Sequence, residues 1–159
     1  GFTVALLRRR TSLLSLGLLG AAGATLEAPH WLNLANATAT QISTSGQFVA
    51  SLAIDKSSLN NFSQGSCSAT PQETDPWWQV DLGEFHKIVV VQVMNRRDEN
   101  ADWLNPFSVY VDDIPCAQNV PIATGETKDV PCDAYGRVVG IRLAGTDKRL
   151  IICEVAVKG

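Results

Sequence analysis

Between Asp75 and Asp98 the chain carries its most constraining stretch, DPWWQVDLGEFHKIVVVQVMNRRD. A turn at Asp75-Pro76 precedes two adjacent tryptophans, Trp77 and Trp78. An alternation through Gln79, Val80, Asp81 and Leu82 follows, then a second turn at Gly83-Glu84 and the apolar run Ile88–Met94. Runs of this length, rich in β-branched and aromatic residues and bounded by turn formers, read as strands buried in a sandwich core. The run stops abruptly in charge at Arg96, Arg97 and Asp98. Loops at the rim of a sandwich carry binding groups on a rigid scaffold, so this cluster marks the place to look for a site.

From Leu32 onward the pattern stays all-β. The predicted strands are Gln47–Ala53, Trp78–Leu82, Lys87–Asn95, Phe107–Val111, Arg137–Leu143 and Leu150–Lys158, separated by Gly, Pro, Asn, Asp and Ser. In the last of them Ile151, Cys153, Val155 and Val157 alternate with Ile152, Glu154, Ala156 and Lys158, the period of a half-buried antiparallel strand. No heptad or internal repeat competes with this pattern. The expected fold is an all-β antiparallel sandwich of jelly-roll type, preceded by a short N-terminal apolar helix.

A chain of 159 residues is long enough for one domain with a proper core. Its formal net charge is only -3, and no basic stripe interleaves with aromatics, which speaks against nucleic acid as a partner. Four cysteines, none in a C-x-x-C pair, argue against zinc and thioredoxin chemistry. Disulfides in an oxidising compartment are the expected use, with three pairings open. No nucleophile–base arrangement, phosphate loop or pair of catalytic carboxylates is visible, so no enzyme is expected. His30 and His86, the tryptophan pair and the turn at Asp112-Asp113 all read as structural. Asn36-Ala37-Thr38 and Asn61-Phe62-Ser63 match glycosylation triplets that also arise by chance.

Residues 1–24 differ in kind from the rest. Arg8-Arg9-Arg10 precedes an uncharged apolar stretch ending in Ala22-Gly23-Ala24, the shape of a secretory or twin-arginine export signal or of a membrane anchor. As a helix, Thr11–Leu26 would be roughly 24 Å long, short of a hydrocarbon core of about 30 Å. With the start at Gly1-Phe2, the segment looks like the second half of a bipartite plastid address, which would deliver the domain to a thylakoid lumen. A secretory signal or anchor would instead place it outside the cell. Residues 25–32 form a linker, and the folded domain is expected over 33–159.

The PWWQVDLG segment, the strand after it and the ending Asn95-Arg96-Arg97-Asp98 resemble the F-type lectin (fucolectin) family, a branch of the discoidin-like β-sandwiches. Leu34-Ala35, Ala53-Ile54-Asp55, Asn61–Ser68 and Cys153–Val157 agree in order and spacing. The resemblance implies disulfides Cys67–Cys153 and Cys116–Cys132. It also implies a fucose motif of His, twenty-six residues, Arg, one residue, Asp, four residues, then Arg or Lys. Anchored on Arg96, the motif finds Asp98 in place, but Ala69 at the histidine and Trp103 at the last cation. Glu99-Asn100 replaces the family's adjacent cysteines. Buried hydrogen bonds to charged groups are worth about 1.5–3 kcal/mol each, so losing two leaves a sugar-site remnant. Arg97 is expected on the opposite face.

The resemblance further implies a structural Ca2+ site. Its matching positions are Leu52 and Cys153 through their carbonyls, the carboxylates of Asp55 and Glu154, and the hydroxyls of Ser57 and Ser66. Lys56 stands where that loop would be expected to carry Gly. Two readings follow. In the first, a non-enzymatic interaction module with an eroded fucose site attaches to a membrane protein complex on the lumenal or extracytoplasmic side, a photosystem supercomplex being one instance. In the second, a secreted or membrane-anchored calcium-dependent lectin binds glycoconjugates with altered specificity.

Overall fold

A computed structural model describes residues 27–159. The export-signal-like segment 1–24 and its predicted helix lie outside the described residues. Eight strands form among the described residues: β1 (Thr38–Gln41), β2 (Ser68–Ala69), β3 (Trp77–Met94), β4 (Phe107–Val111), β5 (Ile114–Val120), β6 (Thr127–Arg142), β7 (Ile151–Ile152) and β8 (Glu154–Lys158). The larger sheet runs β1-β3-β6-β4-β5 with β8 also on β3, and β2 pairs with β7 in a small second sheet. Each of these pairings is antiparallel. No helix among the described residues is long and apolar enough to cross a membrane.

The ribbon of β3 and β6 organises the domain. The first half of β3 pairs with β1 and the second half with β8, while β6 follows it throughout. Register breaks between Asp81 and His86 and between Ile88 and Val90 bend the ribbon. The second break also shifts the buried set from Trp78, Val80 and Ile88 to Val91 and Val93, as a one-residue slip must. Both halves therefore face one core, shared with Phe107, Val109, Ile141, Val155 and Val157. Trp78 is fully buried there, and its indole N–H donates to the Ala50 carbonyl at 2.9 Å.

Several strand expectations need correction. Gly83-Glu84 does not divide two strands. Gly83 takes a left-handed φ of +86°, Asp81 accepts its N–H at 2.8 Å, and the strand continues through the irregularity. Gln47–Ala53 is not a strand. Ala50–Ile54 is a 3-10 turn, because Ala50 and Ala53, three apart, are both small enough to stack against the core. The final strand is two, since Ile151–Ile152 pairs with β2 and Glu154–Lys158 pairs with β3. β5 and the first half of β6 escaped the pattern because they are largely exposed and carry Pro115 and Pro131. The end of the expected linker joins the sheet: His30 and Gly159 exchange backbone hydrogen bonds, and Leu32 N–H donates to Val157.

Both disulfides have the pairing that the resemblance implied, Cys67–Cys153 and Cys116–Cys132. The first fastens the start of β2 to the residue between β7 and β8, and the second joins β5 to β6.

Candidate functional site

The chain leaves β3 through Asn95, which is buried at 1% exposure and organises the next loop. Its amide donates to the carbonyls of Ala101 and Ala123, tying the turn Ala101–Leu104 to the strand. Asn100 enters that turn at a left-handed φ of +60°, closing a loop that lacks the cysteine pair. Sequence reading passed over Asn95; a lone amide at the end of an apolar run was its only signal.

Arg96 and Asp98 come together as an intramolecular pair. The guanidinium Nε donates to Asp98 Oδ1 at 2.6 Å, with the two side chains 7% and 18% exposed. The guanidinium also lies 4.5 Å from the centroid of Phe62, whose ring packs on Phe48. Asp98 Oδ2 accepts the Ser63 N–H at 3.0 Å, so the pair also clamps the turn Phe62–Gln64. Burial acts to raise the Asp98 pKa. The Arg96 hydrogen bond and the backbone N–H groups of Ser63 and Phe62 outweigh it and hold the carboxyl at about 2. Arg97 points away into solvent, its N–H bonded to the Asn60 carbonyl.

The other two positions of the implied motif carry Ala69 and Trp103. Ala69 is 1% exposed within β2 and belongs to a small cluster with Cys67, Ile151 and Cys153. Trp103 packs against that cluster, and the Arg149 guanidinium stands 5.1 Å from its ring. Beside Trp103 opens a cleft of about 340 Å³ whose lining includes Gln72, Asp102, Asp147, Lys148 and Arg149.

Of the expected calcium ligands, Asp55 and Glu154 are brought together. Burial first, and the neighbouring Asp55 carboxylate second, push Glu154 up to about 8 against a hydrogen bond from the Lys56 N–H. Glu154 Oε2 is buried without a partner. Ser57 stabilises the same loop, its N–H donating to Asp55 at 2.8 Å and its hydroxyl accepting from Leu59. The buried Ser66 hydroxyl donates to the Asn61 carbonyl and keeps its lone pairs. Leu52 lies in the 3-10 turn that leads into this loop, and Cys153 immediately precedes Glu154. Lys56 adopts a φ of +64°, the conformation that favours Gly, and its ammonium donates to Asn33 at 3.2 Å. No group of three or more His, Cys, Asp or Glu side chains forms a metal cluster among the described residues, so a cation here would depend on carbonyl and hydroxyl oxygens too.

The family described as NedA-like, galactose-binding domain, of the F5/F8 type C class, matches residues 53–149. The chain is similar to fucolectin of Anguilla anguilla, 34% identical over 119 residues that cover 68% of this chain and 75% of that one. It is also similar to the solved fucolectin from Morone saxatilis (striped bass) serum, with a TM-score of 0.76 and 32% identity over 82% of this chain. This chain spans 48% of the bass protein's length. A Streptococcus pneumoniae fucose binding module is similar over 80% of this chain and 94% of its own, with a TM-score of 0.71 and 28% identity. With the fold, the two disulfides and the Arg96–Asp98 pair in register, the chain belongs to the F-type lectin (fucolectin) family of discoidin-like β-sandwiches.

Proposed function

We propose that the domain is a non-enzymatic recognition module whose fucose pocket is closed from within. The observation that carries this reading is that the motif's histidine position holds Ala69, buried within β2, and its last cation position holds Trp103, packed on the cluster of Cys67, Ile151 and Cys153. Neither side chain offers the charged donor that a fucose hydroxyl would meet there. The wild-type chain is therefore expected to show no L-fucose binding by titration calorimetry. Ala69→His with Trp103→Arg is expected to create a weak site, with a Kd on the order of 1 mM. If the wild type bound fucose at that strength, the closed-pocket reading would fall. If the double variant bound none, these two positions would not be what erased the site.

The donor set supports a structural calcium ion. Two facing carboxylates, one with an orphaned buried oxygen, are what a divalent cation would neutralise. Asp55 and Glu154 would supply the charge, and Leu52, Ser57, Ser66 and Cys153 the neutral oxygens. The bound ion would tie the Ala50–Ser57 segment to β8. Without metal, the unfolded Glu154 loses its proton near its ordinary 4.5 while the folded one keeps it to about 8. Metal-free stability is thus full below that ordinary value and falls as pH rises toward the folded one. The expected fall is on the order of 2 kcal/mol after allowance for the group's partial exposure. Urea unfolding in chelator checks this: Glu154→Gln should flatten the profile, and calcium should restore stability at high pH in the wild type alone. A profile that is flat and insensitive to calcium in the wild type would remove the site.

Two disulfides support an oxidising, extracytoplasmic compartment. The arginine block and apolar stretch in residues 1–24 support attachment to a membrane protein complex there, a photosystem supercomplex being the instance if the segment is a plastid address rather than a secretory signal or anchor. A mild-detergent native gel of source membranes, with mass spectrometry of the band, tests this. Migration as a small soluble species would remove the complex and leave a glycoconjugate as partner.

A further inference from the structure

The fold treats the two Asn-x-Ser/Thr triplets, Asn36-Ala37-Thr38 and Asn61-Phe62-Ser63, in different ways. The first lies where the turn Leu34–Asn36 runs into β1. Asn33 starts that turn, its side-chain oxygen accepting the Ala35 N–H and a hydrogen bond from the Lys56 ammonium, each at 3.2 Å. Ala37 N–H donates to the Leu34 carbonyl and closes it. Leu34 is buried in the core and anchors the turn, which leaves Asn36 and Thr38 exposed on the outside. Ala37 between them is extended (φ -76°, ψ 152°), so both side chains stand on a short, open stretch of backbone. Among the described residues the Asn36 side chain joins no hydrogen bond, so a group attached to it displaces nothing.

The second triplet is spent on the fold. Asn61 opens the turn Phe62–Gln64, and its Oδ1 accepts the Ser63 N–H at 3.1 Å and the Ser63 hydroxyl at 2.6 Å. Its carbonyl accepts the Ser66 hydroxyl, and Phe62 packs on Phe48 and against the Arg96 guanidinium. Asn61 and Phe62 are half-buried there, so a large substituent on the Asn61 amide would crowd the turn that Asp98 holds. The triplets also lie toward opposite ends of β1. Gln41, its last residue, donates to the carbonyls of Phe48 and Ala69, whereas Asn36 lies just before its first. The rise of a strand puts about 10 Å between Thr38 and Gln41. A substituent on Asn36 therefore leaves the Arg96 end of the domain uncovered.

We propose that Asn36 is the acceptor of an N-linked oligosaccharide and that Asn61 is not. In the transfer, Asn36 Nδ2 attacks C1 of an oligosaccharide carried on a lipid pyrophosphate. The C–N bond forms, the C1–O bond breaks with its electron pair leaving on the lipid pyrophosphate, and the amide nitrogen gives up one proton. Thr38 supplies the hydroxyl that the acceptor triplet requires. The proposal rests on the extracytoplasmic reading, because the lipid-linked donor serves chains that enter a secretory lumen. The test sends the full chain into the secretory lumen of insect cells behind an added cleavable signal, followed by peptide-N-glycosidase digestion and glycopeptide mass spectrometry. One enzyme-sensitive species is expected, with Asn36 converted to Asp by the digestion and Asn61 unchanged. Asn36→Gln and Thr38→Val should each abolish the glycan, and Thr38→Ser should retain it. Asn61→Gln should leave the glycan in place yet lower the urea midpoint through its lost cap, which Asn36→Gln should not do. Disulfide-bonded protein with no glycan on Asn36, or with one on Asn61 alone, overturns the proposal and leaves the extracytoplasmic reading standing. Equal glycans on both asparagines overturn the choice between them. A lumenal chain with reduced cysteines and no glycan overturns both the proposal and that reading.

Discussion

Replacing Cys67 and Cys153 together by alanine is expected to cost about 4.5 kcal/mol, measured by urea unfolding at neutral pH. The bridge spans 86 positions of sequence, and the chain entropy it removes from the unfolded state grows with the logarithm of that span. The Cys116–Cys132 bridge spans only 16, for which the same relation gives about 3 kcal/mol. The order of the two losses is the checkable statement. Cys67 and Cys153 are also fully buried beside Ala69, Ile151 and Trp103, so the double alanine variant loses packing as well. Its unfolded chain, freed of the cross-link, should expose more surface and raise the denaturant slope. A loss no larger than that for Cys116–Cys132 would mean that the long-range bridge is not the main staple. Calcium affinity supplies a second readout, since Cys67 adjoins Ser66 and Cys153 adjoins Glu154. If the calcium proposal holds, affinity should fall with the Cys67–Cys153 bridge and not with the other.

Asp98→Ala is expected to destabilise the domain by about 3 kcal/mol, because it leaves the buried Arg96 guanidinium without its partner and the Ser63 N–H without its acceptor. The double variant Arg96→Met/Asp98→Ala should recover most of that loss, since an apolar side chain can rest on Phe62 with no charge to compensate. Equal losses in the single and double variants would show that the cost lies in the loop backbone and not in the orphaned charge. The pH dependence carries a defined sign. The Asp98 carboxyl is held at about 2, below its ordinary 3.8, so the pair stabilises the domain above that ordinary value. Its contribution disappears only as the pH falls through about 2. The stability difference between the wild type and Asp98→Ala should therefore be constant above pH 3.8 and shrink as the pH falls from there through about 2.

On the closed-pocket proposal, the same pair turns a binding motif into a structural one. In this chain the Arg-x-Asp spacing survives, but the imidazole position is a buried alanine and the last cation is Trp103. Arg96 lies on Phe62 and turns to Asp98, and Asp98 accepts the Ser63 N–H.

Much of this was legible before any coordinates. The apolar run after Trp77-Trp78, the alternation of Phe107–Val111 and that of the last residues each report a strand with one face in the core. The disulfide partners and the Arg96–Asp98 register followed from the family resemblance, and the absence of a histidine at position 69 was plain from spacing. The 3-10 turn Ala50–Ile54 was less legible, because small apolar residues suit a strand as well as a tight turn until Trp78 fixes the packing. β5 was missed because an exposed edge strand buries too little to leave a period in its sequence.

What the sequence determined by itself was the set of faces that must leave water, written in period-two apolar runs, and an even number of cysteines without a metal-binding spacing. What only the tertiary structure decided was which polar groups meet. Gln72, Asp102 and Asp147–Arg149 lie far apart in the chain and converge because β2 pairs with β7 and Glu73 bridges to Lys148. Asp55 likewise reaches Glu154 only across the folded core. Burial is recorded locally, residue by residue, because hydrophobic transfer depends on the side chain itself. Polar convergence depends on register and on loops crossing at long range, and neither leaves a periodic trace in the sequence.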